Sequence, residues 1–151
     1  MGPQYQVNNY LNNHYEGMDP KQLILLLYKG ALKRIDLAKE GLIENDIKKR
    51  GENISKVIAI ISELHASLDP DMKDESTEFL RGLYESMLME LPKVSLNNDI
   101  QILERTEKYI AKLTDIWIND VMGKKEETEP VPASPPPPKA TKPSGFTSLA
   151  V

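Results

Sequence analysis

The chain has no cysteine, which removes disulfides, thiolate metal ligands and thiol nucleophiles at once. Aromatic residues are scarce, 6% of 151 positions. Helix formers dominate the remainder, so an all-α fold is favoured over a sheet. Nowhere do about 18 uncharged apolar residues run together, and no membrane insertion is expected. The opening MGPQYQVNNYLNN has neither the basic nor the apolar region of a secretory leader, so a cytoplasmic protein is expected. Glycine-rich phosphate loops and the Gly-x-Ser-x-Gly elbow are missing too.

The two histidines, His14 and His65, stand far apart, and neither belongs to a Glu-x-x-His pair of the kind that builds dimetal bundle sites. His65 falls on an apolar stripe, where a satisfied core or edge histidine is the ordinary reading. Asp71, Asp74 and Glu75 cluster where a solvated loop meets a helix start, which explains them without chemistry. No enzyme activity, cofactor or metal is therefore expected.

Proline is unevenly spread. Seven of the eleven prolines lie in KKEETEPVPASPPPPKATKPSGFTSLAV, from Lys124 to Val151, a stretch with almost nothing to build a core. It reads as a disordered tail, with Pro135 to Pro138 favouring an extended spacer. Setting that tail aside leaves 15 basic and 20 acidic side chains in the first 123 residues. Such a surplus of negative charge repels a phosphate backbone, so nucleic acid is not an expected partner.

What the chain does have is helical periodicity. Asp19 is a good N-cap and Pro20 suits the first helical position. Ile24, Leu27, Tyr28, Ala31, Ile35, Ala38 and Leu42 then follow the spacing of one helical face. At about 100° per residue, Leu26 and Leu37 land opposite that stripe, while Leu25 and Leu32 widen its edge. The helix therefore carries more apolar surface than one buried face needs, and it is either buried on two sides or built to dock a partner.

The polar ENDIKKRGEN, with Gly51, reads as a connection to a second helix whose stripe is Ile54, Val57, Ile58, Ile61, Leu64 and Leu68, ending at Asp69-Pro70. A third helix spans roughly Glu75 to Leu91, with Leu80, Leu83, Tyr84, Met87 and Leu91 inward and Pro92 closing it. Asp99 caps a fourth. There Leu103, Thr106, Ile110, Leu113, Trp117 and Val121 share one face, and Ile102, Tyr109 and Ile116 form a neighbouring strip. Short connections between long helices predict an antiparallel up-down four-helix bundle.

Taken in order, these segments resemble the flagellar secretion chaperone FliS family. Tyr10 to Pro20, YLNNHYEGMDP, is similar to the family's opening, and QLILLLYKGAL, from Gln22, to its helix-one signature. NISKVIAIISELHASLDP, from Asn53, resembles the second helix, and Leu83-Tyr84 with Met87 a pattern in the third. LNNDIQILERTEKYIAKLTDIW, from Leu96, is similar to the last helix. The chain departs from the family at Lys29, where Asp is usual, at Lys73-Asp74, where Gly-Gly is usual, at Tyr15 and Gly17, and in its proline-rich tail.

The resemblance implies a cytoplasmic export chaperone. It would hold the C-terminal segment of flagellin in apolar grooves, prevent premature polymerisation, and keep the cargo competent for type III export. Further partners implied are the flagellar export gate and other flagellar regulators. The implied groove draws on Leu23 and Leu27 of the first helix, Ile54, Ile58 and Ile61 of the second, and Leu83, Tyr84 and Met87 of the third. Ile102, Tyr109 and Ile116 of the fourth complete it, and Tyr10 and Leu11 are the implied N-terminal cap. The expected organisation is a cap segment 1–18, a four-helix chaperone domain 19–122 and a disordered Pro-rich tail 123–151. The competing expectation is a homo-oligomeric helical scaffold, in which the surplus strips pair with a second copy of the chain.

Overall fold

Asp19 and Pro20 start the first helix as their chemistry requires. The Asp19 carboxylate accepts from the Lys21 backbone N–H at 3.0 Å, and Pro20 occupies a position where a missing N–H costs nothing. The computed structural model describes residues 17–123. Tyr10, Leu11 and the Pro-rich tail lie outside the described residues. Within them the protein divides into two units, 17–114 and 115–123, and every regular element is helical.

Helix α1 (Pro20–Ile43) buries Leu27, Tyr28, Ala31, Ile35, Ala38 and Gly41, the expected stripe apart from its two ends, Ile24 and Leu42, which are half-buried. Three residues turn the chain. Asn45 takes a left-handed conformation with φ of 60°, which asparagine tolerates better than most residues, and the Asp46 N–H donates back to the Gly41 carbonyl at 2.8 Å.

Helix α2 (Ile47–Ala66) then begins at once, which corrects the expectation of a polar linker reaching Asn53. The Asp46 carboxylate caps it by accepting from the Lys49 N–H at 3.0 Å, and Gly51 rides inside the helix. The two helices run antiparallel, since Gly41 meets Arg50, Arg34 Nη1 donates to Asn53 Oδ1 at 3.3 Å, and Gly30 faces Ile60. Asn53 is buried but satisfied, its amide also donating to the Lys49 carbonyl.

The close approach near the turn depends on Gly41. A Cβ there would stand 2.6 Å from the Arg50 backbone nitrogen, which no rotamer can relieve. Gly41→Ala is expected to lower stability by about 1–3 kcal/mol, the ordinary cost of overpacking, despite alanine's better helix propensity. Urea unfolding of the two proteins checks this, and an unchanged midpoint would contradict the packing described.

Helix α2 ends at Ala66, before the expected stop, where the Ser67 hydroxyl donates to the Leu64 carbonyl. Helix α3 (Glu75–Glu90) starts at Asp74, whose carboxylate accepts from both the N–H and the hydroxyl of Thr77. Those bonds, the side-chain one first, hold the Asp74 carboxyl below its ordinary value. Pro92 does not end the helical path as expected. It occupies the first turn of a six-residue helix α4 (Pro92–Asn97), with Leu91 before it in helical conformation and both Leu91 and Val94 fully buried. Asn98, with φ of 55°, stops it.

Helix α5 (Ile100–Ile116) follows, the Asp99 carboxylate accepting from the Gln101 N–H. It buries Ile102, Leu103, Thr106, Ile110 and Thr114, and both threonine hydroxyls donate to the carbonyl four residues back. In the second unit the helix widens into a π-helical turn (Trp117–Met122), so the single last helix expected to reach Val121 is α-helical only to Ile116. In the first unit Tyr28 and Tyr84 join α1 to α3 through buried hydroxyls 2.7 Å apart.

Candidate functional site

Helices α3 and α5 lie side by side, and between them the surface dips. Leu83 and Met87 from α3 and Ile102 from α5 give the depression its apolar lining. Thr106 also lines it, with its hydroxyl already satisfied by the Ile102 carbonyl. Ser86, Glu90, Arg105 and Tyr109 make its edges. The depression measures about 30 Å³, room for the end of one side chain and far below the several hundred Å³ of a small-molecule pocket. What such a place can do chemically is hold part of a polypeptide.

Helical geometry extends the lining. Phe79, 64% exposed, stands one turn before Leu83 on α3. Tyr109, 46% exposed, stands one turn beyond Arg105 on α5. The two helices thus present an apolar and aromatic track at one end, while the other end is charged. There Glu90 lies 3.3 Å from Lys93 Nζ and 3.9 Å from Arg105 Nη2.

Of the residues expected in a groove, Leu83, Met87, Ile102 and Tyr109 come together at this depression. Leu27, Ile54, Ile61 and Tyr84 are core residues, and Met87 and Ile102, 4% and 3% exposed, are buried with them although they line the depression. Leu23 and Ile58 are half-buried on α1 and α2, and Ile116 is exposed in the second unit. Tyr10 and Leu11 fall outside the described residues. Leu26, opposite the buried stripe of α1, is partly exposed, so that helix does keep apolar surface in solvent. Sequence periodicity missed Phe79, Glu90 and Arg105. The first stands one turn before Leu83 but at 64% exposure takes no part in the inward stripe, and the charged pair is joined only in space.

Elsewhere among the described residues, no three His, Asp or Glu side chains gather in a way that could hold a metal ion. His65 Nε2 lies 3.1 Å from Glu85 on the surface. No helix among them is long and apolar enough to cross a membrane.

Residues 2–125 match the family model described as flagellar protein FliS. The chain belongs to the FliS family. Curated relatives named flagellar secretion chaperone FliS include one from Escherichia coli (strain K12), 31% identical over 112 residues, covering 74% of this chain and 82% of the relative. Another, from Salmonella typhimurium, is 34% identical over 99 residues, 65% of this chain and 73% of its own length. A third, from Bacillus subtilis (strain 168), is 28% identical over 118 residues, 78% and 87% respectively. The FliS match takes in the whole α3/α5 face, whereas the proline-rich segment beyond residue 125 lies outside it.

Proposed function

We propose that this FliS-family chain is a cytoplasmic export chaperone that receives the C-terminal segment of flagellin on its apolar surface. Held there, the segment is kept from polymerising early and is handed to the type III flagellar export gate. The observation that carries this reading is the α3/α5 face of a FliS-family body, where half-buried Leu83 and exposed Phe79 and Tyr109 leave apolar surface in solvent beside a depression lined by the buried Met87 and Ile102. The antiparallel α1/α2 pair and the α3/α5 neighbours support an up-down four-helix body for that face. The proposed action is binding, with no bond made or broken. Residues 1–18 serve as the cap and 19–122 as the chaperone body, followed by the Pro-rich tail 123–151.

The energetics favour a long contact over a small one. A segment that folds on binding gives up about 2–5 kcal/mol in ordering, so one depression is too little and a track along two helices is suited to the task. Tyr10 and Leu11 are proposed to cover part of that track when cargo is absent.

Calorimetry of the full chain with the C-terminal segment of flagellin from the same cell tests the reading. We expect one-to-one binding with a negative heat-capacity change, the mark of apolar burial. No heat with this segment rejects the chaperone function. In the same titration, deleting residues 1–14 is expected to raise the affinity, and unchanged or weaker binding rejects the cap.

A homo-oligomeric scaffold is the second reading, and one observation favours it. Ile43 and Ile47, each 70% exposed, flank the α1–α2 turn, and Leu96 on α4 is 81% exposed. Arg50 Nη1 donates to Asn98 Oδ1, so the turn and the end of α4 lie at the same end of the unit. Light scattering separates the two: a chaperone is monomeric alone, a scaffold is an oligomer from the start.

A further inference from the structure

The charged end of the groove has one more cation than its carboxylate requires. Lys93 Nζ lies 3.3 Å from Glu90 Oε2, while Arg105 Nη2 lies 3.9 Å from Glu90 Oε1, at the outer limit of an ion pair. Glu90 therefore keeps a partner when Arg105 moves away. The Arg105 side chain is 52% exposed, and it borders the same depression as Met87 and Ile102. Glu90 is thus shared by two cations, on a chain with 23 acidic and 19 basic side chains.

Resting on the reading of this face as the cargo groove, we infer that Arg105 is its anion anchor: it leaves Glu90 to pair with a carboxylate of the bound segment. The occupant is thereby specified by its chemistry. It is a peptide segment that seats one aliphatic or methionine side chain in the depression and carries an Asp or Glu about one helical turn away. The guanidinium fork suits a carboxylate in two parallel hydrogen bonds, which an ammonium cannot match. The phenol of Tyr109, one turn further along α5, is a second donor within the same stretch of helix.

An acidic body repels a carboxylate-bearing segment over most of its surface. A single place where the carboxylate is welcome fixes the register of an otherwise slippery apolar contact. Arg105 thus contributes selectivity and register, while apolar contact with Phe79, Leu83 and Tyr109 contributes most of the affinity.

The test uses the full chain and the flagellin C-terminal segment in calorimetry at low and high salt. Arg105→Gln is expected to weaken binding about threefold to fivefold at low salt, the range of an exposed ion pair. The difference should vanish near 1 M salt, where charges are screened within about 3 Å. Arg105→Glu should weaken binding further, and one Asp→Lys or Glu→Lys substitution in the segment should restore it. Thermal melting of both variants, expected to match that of the wild type, checks that they fold. If the wild-type chain binds, Arg105→Gln binds equally well and no reversed carboxylate rescues Arg105→Glu, the anchor is wrong and the cargo reading stands. If the wild-type chain does not bind the segment at all, both fall.

Discussion

Tyr84→Ala is expected to remove about 3–5 kcal/mol of folding stability, the cost of deleting a buried aromatic ring. Domains of this size have about 5–15 kcal/mol in total, so the variant should sit near its unfolding transition at growth temperature. Tyr84 is among the largest fully buried side chains, and its hydroxyl meets that of Tyr28 at 2.7 Å, tying α3 to α1 inside the unit. Tyr84→Phe keeps the ring and loses only the hydroxyl, so its cost should be nearer 1 kcal/mol.

The pair also sets a pH dependence. Burial, the leading cause for each, raises both hydroxyls above the ordinary tyrosine value of 10.0, Tyr84 much further than Tyr28. In the unfolded chain both ionise near that ordinary value, whereas in the folded chain they hold their protons to higher pH. The folded state therefore binds more protons above pH 10, and stability must fall as pH rises through that region, being unaffected by the pair below it. Lys39, raised chiefly by its hydrogen bond to Glu107, adds a fall of the same sign. Comparing urea midpoints at about pH 8 and about pH 11 for the wild type and the Tyr28→Phe/Tyr84→Phe double variant isolates the tyrosine part. A double variant that loses as much stability as the wild type contradicts the neutral buried pair.

How far this architecture could be read from residues alone depends on which force wrote each part. Helix α1 was legible from Asp19 to Leu42 because cap, proline and stripe all point the same way. The start of α2 was not, because its first turn, Ile47 to Arg50, is charged apart from Ile47 and is exposed or half-buried. That turn is held by the Asp46 cap and by Gly41 admitting the Arg50 backbone, and both are properties of a helix pair. Helix α4 was hidden for a related reason. Proline closes one helix or opens the next with equal ease, and only the burial of Leu91 and Val94 decides between them.

At the candidate groove the limit was depth. Leu83, Tyr84 and Met87 all read as apolar positions on an inward-facing arc of α3, yet Tyr84 is closed into the core while Leu83 stays half-buried beside the depression. Periodicity reports the direction of a side chain and not how much protein lies beyond it. The charged end was invisible altogether, because Glu90 and Arg105 are fifteen positions apart in sequence and meet only when α5 returns alongside α3.

Depth also decides where a substitution can silence binding without unfolding the chain. Leu83→Asp is expected to weaken binding of the flagellin C-terminal segment by about 30-fold to 150-fold, because a carboxylate left in an apolar contact costs about 2–3 kcal/mol. Leu83 borders the depression but is only half-buried, so in the free protein the new carboxylate reaches water and the fold survives. Were the introduced Asp to recruit Arg105, the loss would deepen, since the anchor would be withdrawn from cargo. Ile43→Asp, at the α1–α2 turn and 70% exposed, is the matched control. It lies outside the groove and should leave cargo affinity unchanged. On the scaffold reading the two variants exchange roles, with Ile43→Asp lowering the mass of the particle in light scattering and Leu83→Asp having no effect on it. Calorimetry and scattering on the same two proteins therefore decide between a surface that holds cargo and one that holds its own kind.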